Sequence, residues 1–399
     1  MKIIPLLAAL AALVALPAGA ADEDTNPPAS LDLTAGTYGG AFDGSGVRRD
    51  SGGLAVVEIS GSPEVRGDGW RLKAPLRLAH SETFGADLSE TTGAFSLEPW
   101  YEATPKLRLG LEGGVLGANR PDWPDPYQRD PATGALAPTD RYGYFAWRAG
   151  AQLYARPARH QHLRASYRYA SYDYVDDPLF DEILEPMHLT PRDRYEHQLD
   201  ASWRYKEKTW AFGARVDYTL RHYTTLQARN ARTGATPDPT TGARNPDQEL
   251  SLFEPSAELE LERMEGRLEL SFRYGLEVQD DAFQGFYSYT GHHPRVQVKY
   301  AASDRLSLEA ALEGWYRTYG ANGSTRLESG THRTDSRTRL RGELEYRIAG
   351  GLSARGEAEW VKRTTNYRDY VPPPQGTSDY DIRFDYTNLT VLAGLQYKI

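Results

Sequence analysis

The stretch RLELSFRYGLEV, Arg267–Val278, alternates without a slip. Leu268, Leu270, Phe272, Tyr274, Leu276 and Val278 share one parity, while Arg267, Glu269, Ser271, Arg273, Gly275 and Glu277 share the other. Successive side chains of a strand point to opposite faces, so this period of two is a β-strand with one apolar and one charged side. Strands of soluble domains stop after about 5–6 residues. A strand this long and this two-sided suits a wall with lipid on one face and water on the other.

The start of the chain agrees with that. Met1–Ala20, MKIIPLLAALAALVALPAGA, has Lys2, an apolar run from Ile3 to Leu16, and small residues at Ala18 and Ala20. This is the pattern of a secretory signal peptide cleaved after Ala20, and the run is shorter than the ~20 residues of a spanning helix. Residues 21–30 are then expected as a short periplasmic segment and 31–399 as a single barrel domain. The sequence has no cysteine, so disulfides and thiolate zinc motifs drop out.

Composition fits a barrel better than a helical membrane protein. Mean hydropathy is -0.62 and 25% of residues are charged, yet there are 26 Tyr, 8 Trp and 37 Gly. In a transmembrane β-barrel only every second strand residue must be apolar, aromatics mark the interfaces, and glycines serve turns. A net charge of -9 argues against a nucleic-acid partner.

The alternation recurs along the chain. It predicts strands at Trp70–Leu78, Leu107–Leu111, Phe145–Leu153, Leu163–Tyr169, Tyr195–Tyr205, Trp210–Leu220, Leu268–Val278, Val296–Tyr300, Leu306–Leu312, Leu340–Ile348, Leu352–Trp360 and Leu389–Ile399. Weaker alternation adds Leu31–Ala41, Leu54–Ser60, Phe95–Tyr101 and Ala257–Leu261. Short connections such as Glu102–Lys106, Lys206–Lys208, Met264–Gly266, Ala302–Asp304 and Ala349–Gly351 alternate with long polar ones. The long ones are Gly117–Asp140, Tyr172–Asp193, His222–Glu249, Gln279–His293, Tyr319–Asp335 and Arg363–Tyr380. That asymmetry is expected of an all-β, antiparallel up-and-down barrel of about sixteen strands (range ~14–18), with periplasmic turns and extracellular loops.

The chain resembles the Gram-negative outer-membrane β-barrels, and its last residues, LTVLAGLQYKI, carry the likeness most clearly. Apolar residues fall at every second position, Tyr397 supplies a ring near the end, and Ile399 stands where the family usually has Phe. The resemblance implies placement in the outer membrane, contact with its lipids and lipopolysaccharide, and insertion by the barrel-assembly machinery.

On this view the charged parity lines the lumen. Its members include Arg71, Lys73, Arg77, Arg108, Arg148, Arg164, Arg168, Arg204 and Arg215, a basic wall. Glu258, Glu260, Glu262, Glu269 and Glu277 follow as an acidic one, with Arg273 among them. Arg337, Arg339, Arg341, Glu343, Glu345, Arg347, Arg355, Glu357 and Glu359 mix both signs. Opposed walls would set a transverse field across the path, whereas the plain alternative is pairing between neighbouring strands. Tyr38, Trp100, Tyr144, Tyr154 and Trp315 put rings on the same face. Sugars stack on such rings.

An enzyme, a metal centre or a bound cofactor is not expected. His80, His160, His188, His292, His293 and His332 fall in expected loops or turns, His197 and His222 near strand ends, and none has a defensible spacing to Ser or Asp. The acidic stretch YDYVDDPLFDEILEPMHL, Tyr172–Leu189, has helical apolar spacing after Asp177-Pro178 and is expected as a short helix at the barrel mouth. Three functions stand side by side. One is a conduit for polysaccharide export with separate periplasmic partners, the second a general diffusion porin for small polar solutes, and the third, less favoured, a barrel hydrolase.

The terminal strand supplies a test. Tyr397→Asp combined with Ile399→Asp should block assembly, because both side chains would present carboxylates to lipid; membrane fractionation with heat-modified gel mobility reads the outcome.

Overall fold

The computed structural model describes residues 29–43, 49–84, 88–119, 143–174, 193–231, 242–320, 332–366, 368–371, 380–383 and 385–398. In chain order the strands are β1 (Ala29–Asp43), β2 (Arg49–Gly61), β3 (Glu64–Gly67), β4 (Trp70–Lys73), β5 (Leu76–Phe84), β6 (Leu88–Thr104) and β7 (Leu107–Asn119). Next come β8 (Tyr144–Ala155), β9 (Gln161–Tyr174), β10 (Arg194–Lys206), β11 (Trp210–Gln227), β12 (Asp247–Arg263) and β13 (Leu268–Asp281). The rest are β14 (Tyr289–Ala301), β15 (Leu306–Tyr319), β16 (Thr334–Ala349), β17 (Leu352–Thr365), β18 (Arg368–Val371), β19 (Tyr380–Arg383) and β20 (Asp385–Lys398). Eighteen belong to one sheet; β18 and β19 form a separate pair.

The ladder runs from β1 to β2 to β5, and from β5 each strand pairs with its successor as far as β17. β17 then pairs with β20, and β20 with β1 from Ser30–Lys398 to Asp43–Asp385. All these pairings are antiparallel, so sixteen strands close into a ring. Stepping from partner to partner once around that ring returns to β1 about 20 residues further along. With ~3.3 Å per residue and ~4.8 Å between strands, such a stagger tilts the strands by about 40° and gives a backbone radius of about 16 Å.

Cross-strand partners share a face, so the register carries side-chain direction round the ring. The apolar parity faces out, where Leu111, Trp147, Leu199, Leu259, Phe272, Leu312, Leu340 and Val391 are all exposed. Aromatic residues gather at the two margins of this belt: Tyr205, Trp210, Phe212, Tyr346 and Tyr397 near the short turns, and Phe145, Trp147, Tyr195 and Tyr316 near the opposite ends. An apolar band between two aromatic girdles is the outer surface of a membrane-spanning barrel. The turns at its lower rim are tight. Gly350 and Gly351 both take positive φ (54° and 86°), as a two-residue hairpin requires.

Three expectations need correction. Trp70–Leu78 is not one strand: it breaks at Ala74-Pro75 into β4 and β5, because proline has no N–H for the ladder. β3 and β4 prolong β2 and β5 into a hairpin at the lower rim, where β4 pairs with the end of β6 from Trp70–Tyr101 to Lys73–Glu98. In that hairpin, burial works to raise the Glu64 carboxyl, but Arg66 and Lys73 hold it below its ordinary range. Second, Gln279–His293 is not a long loop. β13 runs to Asp281 and β14 starts at Tyr289, and the Asp281 carboxylate accepts the N–H groups of Phe283 and Tyr287 (both 3.2 Å) to close the bend. Third, His80, His292 and His293 are therefore strand residues; the sheet keeps its pairing through them. The signal peptide, residues 21–28, the helix expected beyond Tyr174, His188, most of the other long connections and Ile399 lie outside the described residues.

The two faces make opposite demands. Leu199→Arg sets a charge against lipid near mid-wall and should cost about 2–4 kcal/mol. Gln198→Ala, one residue away on the inner face, should leave urea refolding in lipid vesicles nearly unchanged.

Candidate channel lumen

Register places every charged residue expected inside on the inward parity. Arg71 lies opposite Trp100 and Lys73 opposite Glu98; Arg77 lies opposite Ser60, and Arg108 opposite Tyr154. Arg164 pairs with Ser202, Arg168 with Gln198, Arg204 with Gly213 and Arg215 with Ser256. Glu258 faces Arg273, Glu260 faces Ser271 and Glu262 faces Glu269. Across β15, β16 and β17, Trp315 pairs with Arg337, Arg341 with Glu359, Glu343 with Glu357 and Glu345 with Arg355; Arg339 pairs with Glu313. Tyr144 and Tyr154 share this face, and the backbone of Tyr38 pairs with Thr390 in the same row.

Most of these charges are neutralised by the wall itself. Arg77 donates twice to Glu58 (both 2.9 Å), and Arg108 reaches Glu102 at 2.9 Å. Arg148 and Arg168 converge on Glu112 at 2.7 and 2.9 Å. Arg215 bridges Asp200 and Asp217, each at 2.6 Å, and Arg204 holds Glu260. Arg339 binds Glu359 and lies 3.8 Å from Glu313, while Arg341 meets Glu357 at 3.0 Å and Glu343 at 3.4 Å. Bare opposed walls are therefore not what the lumen presents. Pairing at this spacing cancels much of each charge locally, and partly exposed pairs contribute roughly 0.2–1 kcal/mol each.

Five of the inward arginines named above are different. Among the described residues no carboxylate comes within 4.0 Å of Arg71, Arg164, Arg273, Arg337 or, close to the lower rim, Arg347. Arg71 lies over the Trp100 ring at 5.1 Å and Arg337 over Trp315 at 5.2 Å. Arg164 donates to Gln152 and Arg273 to Ser256, each at 3.3 Å. Arg164 and Arg273 border a mid-wall recess of about 470 Å³, shared with Arg168, Arg215, Asp200 and Asp217.

Of the acids that hold the upper rim, sequence reasoning named Glu277 and missed Glu196 and Asp335. Glu196, 3% exposed, accepts from Arg194 at 2.7 Å and Arg221 at 2.6 Å, and the Arg194 guanidinium lies 4.4 Å from the Tyr172 ring centre. Glu277 accepts from Arg317 at 2.8 Å, and Arg317 lies over Tyr289 at 4.6 Å. Asp335 accepts from Arg333 at 2.8 Å, and Arg333 lies over Tyr319 at 4.4 Å. Each device is a buried acid, a clamped arginine and a ring beneath it, the last step being cation–π attraction. Parity flagged Glu277 and could have flagged Glu196 and Asp335; the partners of all three follow only from the register. The histidines at 197, 222 and 292 face outward, where His197 bonds Tyr167 at 2.8 Å and His292 bonds Tyr274 at 2.6 Å. Among the described residues no three His, Asp or Glu side chains converge as a metal site.

No family model and no curated protein matches the sequence. Solved structures similar to this chain include OccAB1 of Acinetobacter baumannii (10% identity, 95% of this chain and 100% of that one, TM-score 0.48). OpdQ of Pseudomonas aeruginosa is 11% identical over 92% of this chain and 97% of that one, with a TM-score of 0.45. A bacterial polysaccharide outer membrane secretin is 10% identical over 94% of this chain and 100% of that one, with a TM-score of 0.42.

Glu112 is the sharpest test of the paired wall. Glu112→Ala strands Arg148 and Arg168 without their shared carboxylate and should cost about 1–2 kcal/mol, measured by urea refolding in detergent. Glu112→Gln, which keeps shape but not charge, should fall in between.

Proposed function

We propose that this chain is a channel of a Gram-negative outer membrane, carrying hydrophilic solutes through the ring. The observation behind this is the closed sixteen-strand wall, ionic inside and apolar outside. A barrel of this strand number is wide enough for an aqueous path. Its outer surface would contact membrane lipid and lipopolysaccharide, and the barrel-assembly machinery would insert it after removal of residues 1–20. The mechanism is passive, with no catalytic step: ions and hydrogen-bonding groups of the wall replace part of the solute's hydration.

For the cargo we favour an acidic polysaccharide moving outward, delivered by separate periplasmic proteins. Support comes from rings beside guanidinium groups near both ends of the wall: Trp100 with Arg71 and Tyr154 with Arg108 at 5.8 Å on the turn side, and Trp315 with Arg337 on the loop side. Sugar faces stack on rings, while acidic groups are drawn to arginine. The dense pairing of the other charges favours the second possibility, a diffusion porin for small polar solutes, since a neutralised wall discriminates little.

Deleting the gene separates the two. An export conduit should lose one class of surface polysaccharide with little change in uptake of small sugars or antibiotics. If the polymer coat persists while small-solute uptake slows, the porin takes its place.

A further inference from the structure

Arg337, Arg339 and Arg341 are consecutive inward residues of β16, yet the wall treats them differently. Arg339 and Arg341 each have two carboxylates beside them. Arg337 has none within 4.0 Å among the described residues, and its Nε is shielded from solvent with no hydrogen-bond partner. Its direct cross-strand partner is another arginine, Arg363. Like charges directly opposite repel, and the acid two positions along β16, Asp335, is taken up by Arg333 at 2.8 Å and by Arg363 at 3.4 Å. Arg317 is likewise committed to Glu277.

These groups surround a cavity of about 170 Å³ bordered by Trp315, Arg317, Tyr319, Asp335, Arg337 and Arg363. Trp315 fixes the geometry: its ring stacks on His293 of β14 at 4.4 Å, and the Arg337 guanidinium of β16 lies 5.2 Å from its centre. Placed beside the indole and without a carboxylate of its own, the planar Arg337 guanidinium is suited to two parallel bonds to an oxyanion. The cavity has the volume of about six waters, enough for a single ring-sized polar unit.

The geometry points to a binding site for one anionic group, carboxylate or phosphate monoester, carried on a hydrophilic solute at the loop-side end of the lumen. The anion bridges Arg337 and Arg363, relieving their mutual repulsion, and the body of the solute stays in the water of the lumen. This site rests on the channel proposed above and narrows its substrate class to anions.

Full-length protein in planar bilayers, with sodium glucuronate, glucose 6-phosphate or glucose added on the loop side, tests it. Brief current blocks are expected with glucuronate if the site takes carboxylates and with glucose 6-phosphate if it takes phosphates; either supports the site. Arg337→Ala should weaken the block about tenfold or more, and Arg337→Lys, which retains charge but not the planar edge, should restore only part of it. Block of equal strength by glucose, or block unchanged in Arg337→Ala, overturns the site. Tryptophan fluorescence in detergent gives a second readout: the anion should change the emission of the parent protein and not that of Trp315→Phe. Binding by fluorescence without any conductance would refute the channel and leave the site standing. Conductance with neither block nor fluorescence change would refute the site alone.

Discussion

A backbone N–H or C=O group left without a partner in lipid costs several kcal/mol, so a sheet can span a bilayer only if it has no edge. The pairing of β20 with β1 meets that condition, and the remaining architecture follows from it. Closure fixes the stagger, the stagger fixes tilt and radius, and the radius decides whether side chains fill the interior or leave a path. It also divides every ring strand into two faces that cannot be exchanged, because a slip of one residue would turn the apolar set inward.

Inside, the same register decides which charges meet. Arginine reaches across to the neighbouring strand and finds an acid at Glu58, Glu112, Glu196 and Glu359, and Arg317 of β15 reaches past β14 to Glu277 of β13. These contacts stiffen a wall that has no hydrophobic core beneath it. Near the upper rim the guanidinium groups also rest on tyrosine rings, so both ends of each arginine are fixed. Charge in this lumen is mostly held in place by the wall; among the described residues a few arginines, and acids such as Glu262 and Glu269, stand outside these ion pairs.

Much of the fold was legible in the sequence because its governing signal is local. Alternation such as Leu268 to Val278 needs no knowledge of partners, and it located the sixteen wall strands. Where it failed, a second local factor intervened. Pro75 split a strand whose alternation continued past it, and His292-His293, polar on both parities, hid the start of β14. The pairings were not legible at all. Glu112 lies 36 and 56 residues from the arginines it holds, at 148 and 168, and only the register brings them together. The same holds for Arg337, which in sequence looks identical to its two neighbours.

The stagger of the ring has one more effect. With strands tilted by about 40°, a row of paired residues climbs about 3 Å at each step to the next strand. The row that joins Glu269, Lys299, Glu309, Glu343 and Glu357 is therefore a spiral ramp, not a collar at one depth. A long flexible solute threading this path meets its contacts one after another, handed from strand to strand. No single plane has to release all of them at once.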